Sequence, residues 1–65
     1  SDVHERLRRS AEAALAGLGI PDAAGRSAEL FALADALVLQ RIAHGAAVPA
    51  ERIVRGYLRG AIAEA

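Results

Sequence analysis

The chain has 65 residues, no cysteine, and eight arginines balanced by eight acidic residues, for a net charge of 0 with the histidines neutral. A chain this short makes one small domain and is marginal alone without disulfides, metal or a partner; the missing cysteines remove disulfides and thiolate metal sites, and the neutral charge removes the basic field that general nucleic-acid or anionic-membrane binding needs. Hydrophobic residues make up 54% and aromatics only 3%, which suits helix-on-helix packing, exceeds what so small a domain can hide internally, and takes away the stacking platforms of single-strand binders.

The first predicted helix spans residues 2–18. Asp2 is its expected N-cap, with Glu5 three residues later completing a capping-box pattern. Val3, Leu7, Ala11, Ala14, Leu15 and Leu18 recur at helical spacing and form one apolar stripe, while Glu5, Arg6, Arg8, Arg9 and Glu12 fill the other face. Gly17 and Gly19 are stop signals, followed by Pro21.

The second helix is expected over residues 22–43, capped by Asp22 or, since Gly25 weakens the first turn, by Ser27. Leu30, Phe31, Leu33, Ala34, Leu37, Val38 and Ile42 cover about half its circumference; Ala32, Ala36, Leu39 and Ala43 cover most of the rest. A helix apolar nearly all round is buried nearly all round, and two neighbours in a 65-residue chain cannot cover it. Asp35 interrupts the apolar surface. It is either a boundary carboxylate satisfied locally or one half of an interface ion pair, for example with an arginine of the third helix. His44 and Gly45 close the helix, Gly45 at the left-handed position after its last turn.

The third helix is expected over residues 49–63, with Pro49 in its first position and Val48 as a poor cap. Ile53, Val54, Tyr57, Leu58, Ala61 and Ile62 form its apolar arc, with Arg52, Arg55 and Arg59 opposite. Those arginines read either as a solvated rim, with Glu51 and Arg55 paired one turn apart, or as phosphate contacts. The rim is favoured because no Ser, Thr, Asn, Gln or Lys accompanies them. Gly56 and Gly60 share one edge. Each costs about 1 kcal/mol relative to alanine inside a helix, so their presence suggests close approach by another backbone. The short connectors make successive helices neighbours in space. The chain therefore reads as one all-α, three-helix segment, 1–65, with no strands.

No catalytic, metal-binding or cofactor-binding constellation is legible. "HERLR" at His4 lacks the second histidine of a metalloprotease helix, and Gly17-x-Gly19 lacks the strand and third glycine of a phosphate loop. The chain is read as a non-enzyme with no metal and no cofactor. No apolar run approaches the roughly 20 residues that span a bilayer, and the absence of cysteine fits the cytoplasm. Opening on Ser1 fits a fragment or a processed chain.

Two stretches, "AELFALADALVLQRIAHG" and "VPAERIVRGYLRGAIAEA", resemble the C-terminal end of TetR-family transcriptional regulators. That family often carries a long apolar helix with an Asp-Gly-Leu-x-Leu-Gln-like segment, matched here by Asp35, Ala36, Leu37, Leu39 and Gln40. A short turn and a Pro-Glu-opened helix with an Arg-x-Tyr-Leu-like segment follow, matched by Pro49, Glu51, Arg55, Tyr57 and Leu58. Ala36 stands where Gly is common, and Val48 where a capping Asp is common.

The resemblance implies that the last two helices pair with their copies across a two-fold axis, forming a four-helix bundle. It also implies a small apolar effector, and DNA contact only through an N-terminal helix-turn-helix outside this chain. On this reading the chain is the dimerisation and effector-responsive region of a repressor. The dimer seam falls to Leu33, Ala36, Leu37, Gln40, Ile53, Gly56, Tyr57 and Gly60, and Leu15, Leu18 and Phe31 form core or effector-pocket wall. The rival reading is a free-standing helical protein–protein interaction module.

Overall fold

The computed structural model describes residues 2–65. It contains three helices, α1 (Asp2–Gly17), α2 (Ala23–His44) and α3 (Ala50–Ala63), with a single 3₁₀ turn, Gly45–Ala47, between the last two.

The capping chemistry departs in places from the sequence reading. Asp2 lies inside α1 rather than capping it, and Glu5 turns forward to Arg8 (2.8 Å) and Arg9 (3.4 Å) instead of back to the helix start. The end of α1 is a Schellman motif. Gly19 takes φ +78°, the Ile20 N–H donates to the Leu15 carbonyl (3.1 Å), and the Gly19 N–H donates to that of Ala16 (3.0 Å). Leu15 and Ile20 are both buried in one cluster with Ala61, which supplies the hydrophobic contact that accompanies this motif.

Asp22 is the cap of α2, and Ser27 is not. Asp22 sits in the left-handed region, at φ 52° and ψ 53°, and its carboxylate accepts the Gly25 N–H at 3.2 Å. Gly25 is explained by that cap: a Cβ there would stand 2.2 Å from the Asp22 carboxylate oxygen. Gly45 has positive φ as expected, but its ψ of −144° lies outside the left-handed helical well, so it leads into the 3₁₀ turn. Pro49 caps α3 rather than occupying its first position. With φ −82°, ψ 65° and the Ala50 N–H donating to the Val48 carbonyl (2.9 Å), it centres an inverse γ-turn.

α1 and α2 form an antiparallel pair: His4 meets Phe31, Arg8 meets Ser27, and Leu15 lies in the cluster flanked by Ala23. Ser27 is fully buried, and its hydroxyl donates to the Arg8 carbonyl at 3.0 Å. So small a side chain lets the helices come close at the Arg8 backbone, while the Arg8 guanidinium pairs with Glu5 and Glu12. The α1 packing face is accordingly rotated from the expected stripe. Leu15 is buried, but Val3, Leu7 and Leu18 are exposed. α3 folds back over α2, and its end brings Ala61 against Leu15 and Ile20.

The result is a slab measuring 34 × 31 × 13 Å. Its thickness is about one helix diameter. Domains bury their apolar faces between at least two packed layers, and this chain supplies one. By length and composition alone α2 is long and apolar enough to cross a membrane, although Arg26, Glu29, Asp35 and Arg41 break any continuous apolar run.

Candidate interaction surface

The outward side of α2 is apolar and uncovered. Only Ser27 and Leu37 are buried on this 22-residue helix. Val38, Leu39 and Ile42 are 59%, 67% and 78% exposed, and Ala28, Ala32, Ala36 and Ala43 are exposed around them. Single exposed apolar residues are ordinary on soluble proteins; a contiguous stripe of them marks an interaction surface. Asp35 lies within this stripe, exposed, and makes no ion pair among the described residues.

The matching feature on α3 is its glycine edge. Gly56 and Gly60 are exposed, and a Cβ added at either would meet nothing within 4 Å. No backbone among the described residues approaches there, so the sequence expectation of a close neighbour is not met within the chain. Ile53 flanks them, and a shallow groove of about 400 Å³ runs over Gly56 between Glu51, Arg52, Arg55 and Arg59. Glu51 and Arg55 pair with each other, as the sequence suggested.

The eight positions assigned to the seam divide. Ala36, Gln40, Ile53, Gly56 and Gly60 are exposed, Leu33 is half-buried, and Leu37 is buried inside the chain at 8% exposure. Tyr57 is half-buried and turned toward α2. Its hydroxyl lies 2.7 Å from a Glu29 carboxylate oxygen and 3.1 Å from the Arg26 carbonyl, and the Arg26 guanidinium sits 5.8 Å from its ring centroid. Arg26 also bridges Glu29 (3.2 Å) and Glu64, so this cluster latches α3 onto α2.

The three positions assigned to an effector wall are not brought together. Leu15 is in the core, Leu18 is 64% exposed, and Phe31 packs edge-on against His4 with centroids 5.2 Å apart. Leu18 follows His4 by fourteen residues, which is about 21 Å along a helix. A second shallow groove, of about 390 Å³, is lined by Ala50, Glu51, Val54, Arg55 and Leu58 and by none of those three. Among the described residues there is no cluster of three side chains able to hold a metal.

Burial from water raises the Tyr57 pKa, with the Glu29 carboxylate adding to it; the same hydrogen bond from Tyr57 lowers that of Glu29. A phenol whose folded pKa is raised contributes stability that is fully present below the unfolded value of about 10 and is lost as pH rises through the folded value. Tyr57 is the single tyrosine and there is no tryptophan, so an ultraviolet titration reads it alone. We expect a midpoint above that of the chain in urea, with helicity falling over the same alkaline window; coincident midpoints would mean that the latch does not form in solution.

The family model described as "Tetracyclin repressor-like, C-terminal domain" matches residues 1–64. No curated protein and no solved structure matches the chain.

Proposed function

The chain belongs to the tetracycline repressor-like C-terminal domain family, and from that premise we propose that it dimerises and conveys effector binding in a DNA-binding repressor of the cytoplasm. It performs no chemistry. α2 and α3 of two copies form a four-helix bundle that holds DNA-reading domains, lying outside this chain, at a set separation.

One observation carries this reading: the slab is one helix thick, with an apolar α2 stripe and a bare glycine edge on α3 both left open. A second copy supplies the missing layer. The seam is then built from the exposed members of the set, Ala36, Gln40, Ile53, Gly56 and Gly60, joined by Leu39 and Ile42. Leu33, Leu37 and Tyr57 support it from behind. Covering α2 with helices rather than lipid suits Arg26 and Glu29, which are already committed to α3. The effector-responsive part of the proposal is assigned to the open α1 stripe of Val3, Leu7 and Leu18, the largest uncovered apolar side chains away from α2 and α3.

Sedimentation equilibrium of the chain, with circular dichroism on the same samples, tests the dimer. The mass should be twice 6.7 kDa, and helicity should fall on dilution. A fully helical monomer at every concentration would overturn the proposal.

A further inference from the structure

Asp35 is an anomaly that the bundle alone does not resolve. It stands among Ala32, Val38, Leu39 and Ile42, its neighbours at helical spacings of three, four and seven, all exposed and all apolar. Covering that surface removes water from the carboxylate, and a buried charge without a partner is expensive. Nothing on this chain's own packed faces reaches it. Whatever covers α2 must therefore bring a cation.

The chain itself offers one in the right company. Arg52 and Arg59 make no ion pair among the described residues, and they sit two turns apart on α3, bordering Gly56. That border is where a second helix can come closest, because Gly56 and Gly60 carry no side chain and nothing fills the space above them. An apolar strip with one central acid on α2 and a side-chain-free strip edged by two free guanidiniums on α3 are complementary. A two-fold axis presents each to the other twice. The other guanidiniums without an ion pair among the described residues, Arg6 on α1 and Arg41 on α2 itself, border no such bare edge.

Resting on the dimer reading, we propose that Asp35 of one copy forms an ion pair with the Arg52–Arg59 edge of α3 in the other, so that two symmetry-related pairs fix the register of the bundle. The pair sets pairing specificity more than raw affinity. Like charges brought together repel, so a mismatched seam is disfavoured.

Charge reversal tests this. Asp35→Arg alone and the double variant Arg52→Glu with Arg59→Glu should each weaken the homodimer about a hundredfold, two pairs at roughly tenfold each. Mixing the two variants should restore association as a heterodimer, because each contact then joins opposite charges. Asp35→Asn, which removes the charge without repulsion, should cost roughly tenfold. Circular dichroism of each variant checks that the helices persist. If the natural chain dimerises and Asp35→Arg leaves its affinity unchanged, or if mixing fails to rescue, the ion pair is wrong and the dimer stands. If the natural chain is monomeric throughout, the dimer reading itself fails and the ion pair with it.

Discussion

Replacing Gly56 with leucine is expected to abolish self-association at concentrations where the natural chain is dimeric, while leaving the helix content of the separated chain equal to or higher than that of the natural chain when diluted to monomer. The two effects have opposite signs because they arise on different surfaces. Within the chain, the glycine edge is open and an added side chain meets nothing. Leucine there relieves a backbone-entropy cost of about 0.5–1 kcal/mol in α3. At the seam, the same side chain stands where another helix must come close. Overpacking costs about 1–3 kcal/mol per site, and two-fold symmetry repeats it, for about 2–6 kcal/mol per dimer. That is a loss in affinity of about thirtyfold to twenty-thousandfold. Gly60→Leu should behave alike. Sedimentation and far-ultraviolet circular dichroism read the two effects separately. A dimer of unchanged affinity would remove the glycine edge from the seam.

Replacing Ser27 with leucine is expected to unfold the chain or bring it close to unfolding. Ser27 is fully buried where α1 crosses α2, and its hydroxyl is bonded to the Arg8 carbonyl. Leucine would push the helices apart, at about 1–3 kcal/mol, and would remove a hydrogen bond worth about 1 kcal/mol. At roughly 0.05–0.15 kcal/mol per residue, a 65-residue domain has only about 3–10 kcal/mol in total. Ser27→Ala keeps the close approach and should cost only about 1 kcal/mol. Urea unfolding followed by circular dichroism separates the two. If Ser27→Leu were as mild as Ser27→Ala, the α1–α2 contact would not be the close one described.

The number and order of the helices, their ends within one or two residues and the Asp22 cap were legible because each has a local cause: apolar spacing, a glycine after the last turn, an Asp before the first. The rotational phase of α2 was not. When apolar residues encircle a helix, periodicity no longer says which side faces inward. Periodicity therefore points Leu33 and Leu37 toward the seam, whereas Leu37 is buried within the chain and Leu39 and Ile42 are more exposed than either. What sets the phase is Ser27, a polar residue that no apolar pattern counts as core. Its burial against the Arg8 backbone, together with the Arg26–Tyr57–Glu29 latch, turns Leu39 and Ile42 outward. The Ser27–Arg8 contact likewise sets the face α1 packs with, and Val3, Leu7 and Leu18 remain open. Gly56 and Gly60 were legible as an edge without a side chain, and the structure adds that nothing within the chain occupies it.

In the proposed dimer, α3 of a second copy covers the open face of α2. Isotope-filtered nuclear Overhauser spectroscopy on a dimer assembled from one labelled and one unlabelled chain tests it most directly. Cross-peaks between the methyls of Leu39 and Ile42 in one chain and the Gly56 and Gly60 protons of the other are the predicted result. A dimeric sample that lacks them, with intermolecular contacts elsewhere, would mean that α3 of the second copy does not lie on α2.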